Sequence, residues 1–145
     1  MDLTTLSIRD AHEKLASGEI TVRALVDAYL TNISAQNADI NAYLEVYADI
    51  DEQVDRAQKM FADGTATLMT GIPVALKDNM LRRGFVASSS SKMLENYVAS
   101  YDATVVTRLH EQGVVFMGRT NMDEFAMGSS TEDRKSTRLN SSHGY

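Results

Sequence analysis

Cysteine and tryptophan are absent from this chain of 145 residues, and proline occurs once. Without a thiol there is neither a disulfide framework nor a thiolate metal site, and His12, His110 and His143 show no ligand spacing. Metal catalysis by this chain is therefore not expected. No apolar run approaches the length of a membrane span, and Met1-Asp2-Leu3 begins no signal peptide. The expected location is cytoplasmic, or an organellar matrix if the source is eukaryotic. Positive charge is also scarce, with 14 Lys and Arg against 20 Asp and Glu for a net charge of −6. Nucleic-acid binders carry a basic stripe, so any nucleic acid would be held mainly by other chains.

What remains suits one soluble α/β domain, at 43% hydrophobic and 23% charged residues. Leu3 to Ser17 predicts a short helix capped by Ser7, with Ile8, Ala11 and Leu15 on one face and Gly18 as its stop. Thr21 caps a stronger helix, in which Val22, Leu25, Val26, Tyr29, Leu30 and Ile33 recur at helical steps to about Gln36. Residues 42–47 read as a strand. Asp49 and Glu52 form a capping-box pattern for a helix that runs to Gly64, and Thr65 to Thr70 reads as an exposed loop.

Beyond Phe85 the serine run Ser88 to Ser91 lacks a nucleophile-elbow context and reads as a solvated loop. Asp102 caps a helix through Val105, Val106 and Leu109, and a buried strand follows over Val114 to Met117. Asn121 and Glu124 form a second capping box for a short helix, which leaves at Gly128. The strand, loop, helix, strand order from Gly71 to Met117 is the grammar of an α/β sheet covered by helices.

Chemistry concentrates in Gly71-Ile-Pro-Val-Ala-Leu-Lys-Asp-Asn79, an apolar run that reads as a short buried strand opening into a loop. Lys77 stands at its mouth. A lysine held among apolar side chains loses the hydration that favours its charged form, and the neutral amine can take a proton from a serine hydroxyl. On spacing alone the commoner case is a lysine that snorkels to water or pairs with a neighbour such as Asp78.

Gly71 to Asn79, Tyr101-Asp-Ala-Thr-Val-Val-Thr-Arg-Leu-His110 and Asn121-Met-Asp-Glu-Phe-Ala-Met-Gly-Ser-Ser-Thr-Glu132 together resemble the amidase signature family. The wording of the third and most specific stretch is similar to one branch, the A subunits of tRNA-dependent amidotransferases. The resemblance implies an amidase signature fold, a mixed sheet flanked by helices, with residues 1–132 forming the N-terminal part of one amidase domain. It implies a serine, cis-serine, lysine triad with Lys77 as the lysine. Both serines and the oxyanion loop would follow Glu132, so strands ending near Leu76 and Met117 would keep unpaired edges and this chain by itself would be inactive. The resemblance makes Met127, Gly128 and Ser129 candidates for lining the substrate pocket, while the residues themselves read equally as a helix C-terminus and nothing more.

Members of that branch hydrolyse glutamine and supply ammonia for converting Glu-tRNA(Gln) to Gln-tRNA(Gln). The implied partners are the B and C subunits of a heterotrimer, glutamine, and Glu-tRNA(Gln) held mainly by the partner subunit. No cofactor is expected in this chain, since ATP and Mg are used by the partner. Two other readings stay open: a piece of a stand-alone amidase acting on another small amide, and a non-catalytic amidase-like binding module.

At Asp133 the family pattern stops. An Asn- and Phe-containing loop and a Gly-Gly-Ser-Ser-Gly-Gly-Ser segment are expected there, and neither follows. Instead, Asp133-Arg-Lys-Ser-Thr-Arg-Leu-Asn-Ser-Ser-His143 resembles the in-frame translation of a common short-read sequencing adapter, agreeing at every position. Residues 133–145 are thus expected to be an artefact. The competing account is a basic extension carrying Arg134, Lys135 and Arg138, which would form only a weak, salt-sensitive RNA contact. Without the segment's three positive charges and one negative charge, the net charge moves from −6 to −8.

Overall fold

The computed structural model describes residues 3–128. Its elements are α1 (Ile8–Ser17), α2 (Val22–Ile40), β1 (Tyr43–Val46), α3 (Ile50–Ala62), β2 (Pro73–Lys77), α4 (Thr104–Glu111) and β3 (Val115–Thr120). Single 3-10 turns occupy Lys92–Leu94 and Glu124–Ala126. The sheet is mixed, in the order β1-β3-β2, with β3 antiparallel to β1 and parallel to β2. This is the expected α/β class.

The first two helices form where their caps are. Ser7 and Asp10 exchange reciprocal bonds to each other's backbone N–H, so α1 starts at Ile8 rather than Leu3, and Ile8 lies exposed while Ala11 and Leu15 face the core. Thr21 Oγ1 accepts from Ala24 N–H at 3.1 Å and starts α2. That helix continues past Gln36 to Ile40, where Asn41 turns left-handed at φ 53° and donates its N–H to the Asn37 carbonyl. The Asn37 side chain in turn holds both backbone groups of Tyr43, which ties the helix end to β1.

Three capping assignments fail for a common reason: each side chain has a stronger partner elsewhere. Asp49 makes no cap bond and instead accepts from both terminal nitrogens of Arg82, at 3.1 and 2.5 Å. Asp102 accepts from Arg83 N–H at 2.6 Å, and α4 begins after Ala103. Asn121 and Glu124 start no α-helix, only one 3-10 turn. The 65–70 loop is not simply exposed either, because Thr70 is fully buried and its hydroxyl donates to the Gln112 carbonyl at 2.8 Å.

Strand β3 is central and longer than expected, paired on both sides up to Thr120, so it has no open edge. Val115, Phe116 and Met117 are buried, and with Leu25, Val26, Val54, Leu76 and Val106 they form the core. Buried Gln53 of α3 exchanges bonds with both the N–H and the carbonyl of Phe116 and so extends the hydrogen-bond ladder beyond the end of β1. Gly118 is where β1 crosses closest: a Cβ there would lie 2.1 Å from the Glu45 carbonyl oxygen. Among the described residues β2 pairs only with β3. A groove of about 310 Å³ lies alongside, lined by Leu6, Ile8, Tyr29, Pro73, Val74 and Ala75.

Candidate active site

Strand β2 carries Lys77 to the carboxyl end of a parallel strand pair, the end at which α/β sheets bind ligands. Lys77 stands opposite Thr120, whose hydroxyl donates to the Leu76 carbonyl at 3.2 Å. The Met80 N–H returns to the Lys77 carbonyl at 2.8 Å and closes the turn that follows. Alternation along the strand sends Leu76 into the core and Lys77 outward. The side chain is therefore exposed, and the apolar enclosure expected around it is not found among the described residues. Nor does it pair with Asp78.

Asp78 is 1% exposed and points inward. Its Oδ1 accepts from Ser88 N–H at 3.0 Å and from Arg119 Nη1 at 2.9 Å. Its Oδ2 accepts from the Ser88 hydroxyl at 2.5 Å and from Ser90 N–H at 2.8 Å. Ser89 N–H donates to the Asp78 carbonyl. The N–H groups of Ser88 and Ser90 thus converge on one carboxylate, the arrangement of a nest, and the positive φ of Ser89 (50°) and Ser90 (52°) shapes the loop around it. Arg119 also reaches Glu45 at 2.8 Å, so one guanidinium joins β1, β3 and the end of β2. Burial works against the Arg119 cation, but the bonds to Glu45 and Asp78 outweigh it and raise its pKa above the ordinary value.

The serine run is consequently not a solvated loop. Ser88, Ser90 and Ser91 are buried, each in a hydrogen bond: Ser88 to Asp78, Ser90 to Asn121 Oδ1, and Ser91 to Glu124 Oε1 at 2.6 Å. Those last two acceptors are the residues expected to build the second capping box. Phe125 N–H donates to the Ser89 carbonyl, so the 121–127 segment lies against the serine loop, which lies against Asp78. Met127 is 81% exposed and Gly128 packs on Asp123, where a Cβ would come within 2.3 Å of its Cγ. Ser129 lies outside the described residues, as does the 133–145 segment.

A second polar centre surrounds Arg82. The Arg82 guanidinium sits over the rings of Tyr47, Phe85 and Phe116, 4.6, 4.1 and 5.2 Å from their centroids, while Asp49 takes its charge. Burial pushes the Tyr47 phenol up to about 12. His110 approaches Arg56 at the rim, and burial, then the Arg56 and Arg82 cations, lower its pKa. Among the described residues no group of three His, Cys, Asp or Glu could hold a metal ion, and no helix is long and apolar enough to cross a membrane.

The sequence profile of the Amidase family matches residues 24–139, reaching past Glu132. The chain belongs to the amidase family. It is 46% identical over 134 residues to the A subunit of glutamyl-tRNA(Gln) amidotransferase from Desulfatibacillum aliphaticivorans, covering 92% of this chain and 28% of that protein. With the protein of the same name from Nitrosomonas europaea it shares 44% over 131 residues, 90% of this chain and 26% of the relative. Its fold is similar to that of the native peptide amidase from Stenotrophomonas maltophilia, with TM-score 0.78 and 28% identity over 83% of this chain and 26% of that one. This amidase chain therefore spans about a quarter of the length of the relatives it matches.

Proposed function

We propose that this amidase chain is the N-terminal part of a glutamine-hydrolysing amidotransferase, belonging to its A subunit, with Lys77 as the general base. The observation that carries the reading is one exposed lysine, without an ion-pair partner among the described residues, at the carboxyl end of β2 beside a serine loop fixed on Asp78. The names of its relatives agree with it, at 46% and 44% identity over nine-tenths of the chain.

In this mechanism the Lys77 amine takes a proton from a bridging serine, which takes one from the nucleophilic serine. The released alkoxide attacks the side-chain amide carbon of glutamine, and backbone N–H groups hold the developing oxyanion. The C–N bond then breaks as the proton returns to the leaving nitrogen, ammonia departs, and water hydrolyses the acyl-enzyme to glutamate. Ammonia passes to the partner subunit, which uses ATP and Mg to form Gln-tRNA(Gln) from Glu-tRNA(Gln). Both serines belong to sequence after Glu132, so residues 1–145 alone are expected to split no glutamine.

The test is copurification of the full-length gene product with B and C subunits, together with ammonia release from glutamine. A product that hydrolyses small amides but binds neither of them is a stand-alone amidase, the reading that the 28% identical peptide amidase favours. One that hydrolyses no amide is a binding module. Resequencing the locus addresses the tail: a genomic read from Glu132 through the thirteen following codons removes the artefact account.

A further inference from the structure

Asp78 has no place in the mechanism above, yet it is the most heavily bonded side chain next to Lys77. A carboxylate offers about four acceptor sites, and here two N–H groups, one hydroxyl and one guanidinium fill them, all within 3.0 Å. Its acceptors are thus all engaged by protein donors. Its bonds reach 10, 12 and 41 residues away along the chain, to Ser88, Ser90 and Arg119. Ser90 and its neighbour Ser89 hold left-handed backbone that residues other than glycine adopt at a cost. Such a conformation persists only where surrounding bonds determine it.

We infer that Asp78 is a positioning residue for Lys77: its carboxylate locks the end of β2, the end of β3 and the Ser88–Ser91 loop into one body, and so fixes where the neighbouring amine stands. The inference rests on Lys77 being the base. Lys77 itself is exposed and lacks an ion-pair partner among the described residues, so its own contacts do not fix it. What fixes it is the backbone on either side. Residue 76 is tied through its carbonyl to Thr120, and Asp78 is tied through its N–H to the Thr120 carbonyl, through its own carbonyl to Ser89, and through its carboxylate to the nest. The side-chain bonds are the part of this clamp that a substitution can remove.

The experiment uses the full-length protein and measures ammonia release, with glutamine or whichever small amide the wild type hydrolyses. Asp78→Asn puts an NH2 group against at least one pair of the present donors. A misplacement of the amine by about 1 Å costs on the order of 10²-fold in rate. The expected result is therefore a fall in kcat of at least about tenfold with KM within about threefold. Ser88→Ala removes one donor to Asp78, whereas Ser91→Ala removes a buried hydroxyl of the same loop that bonds to Glu124 instead. A positioning role lowers kcat for Ser88→Ala and leaves Ser91→Ala near wild type, and this pair decides the matter if Asp78→Asn does not fold. Folded Asp78→Asn with wild-type kcat, or equal losses from the two serine variants, overturns the inference. Lys77→Met separates it from its premise: if that variant stays active, it is the assignment of the base that fails.

Discussion

At the scale of single residues, the polar side chains that define this structure are those whose partners lie far along the chain. Arg82 is 8% exposed and pressed against three aromatic rings, and Asp49 is its only ion-pair partner among the described residues. Asp49→Asn leaves that cation buried and unpaired, and a loss of about 3 kcal/mol is expected, read as a lowered denaturation midpoint of the full-length protein. His110 sets a pH dependence of definite sign. Its folded-state pKa lies below the ordinary 6.5, so the unfolded chain takes up a proton that the folded chain refuses. The stability it contributes is present above pH 6.5 and is lost as pH falls from there toward the folded value. Because the ring is exposed at the rim, the effect is small, and it shows as a smaller drop in midpoint between about pH 7.5 and 5.5 for His110→Asn than for wild type.

The secondary-structure elements divide into those set by local signals and those set by distant ones. Gly118 illustrates the second kind. Gly118→Ala would drive a Cβ into the Glu45 carbonyl, and overpacking of this sort costs about 1–3 kcal/mol, visible as a lower midpoint and a weakened β1–β3 pairing by hydrogen exchange. Nothing in the neighbouring residues announces that closeness. By contrast α1, the start of α2 and all three strands were legible, because Ser7, Thr21 and the apolar runs act within a few residues of themselves. The extra turn of α2 was not, since its stop is the left-handed Asn41 rather than the end of the apolar stripe. Asp49, Asp102 and Asn121 carry the right chemistry for caps and lost that role to Arg82, Arg83 and Ser90. Lys77 was legible as the mouth of β2, and its exposure follows the snorkelling alternative that spacing offered rather than the apolar enclosure. The Asp78 cluster escaped because a serine-rich run looks the same whether it is solvated or wrapped around a buried carboxylate ten residues earlier.

For the molecule as a whole, the decisive fact is proportion: the chain spans about a quarter of its relatives' length and, among the described residues, leaves one side of β2 unpaired beside an apolar groove. An unpaired edge next to apolar surface invites association. Residues 1–145 expressed alone are expected to aggregate or to melt without a sharp transition. A monomeric sample by size-exclusion chromatography with a cooperative thermal transition would argue against this. The function proposed above gives the Lys77 amine, held at the carboxyl end of β2, the task of taking the proton that frees a serine to attack an amide. The most direct test of that role is the rate of ammonia release from glutamine by the full-length protein carrying Lys77→Met. A loss of about 10³-fold or more in turnover with the fold intact is predicted, and wild-type turnover in that variant would contradict it.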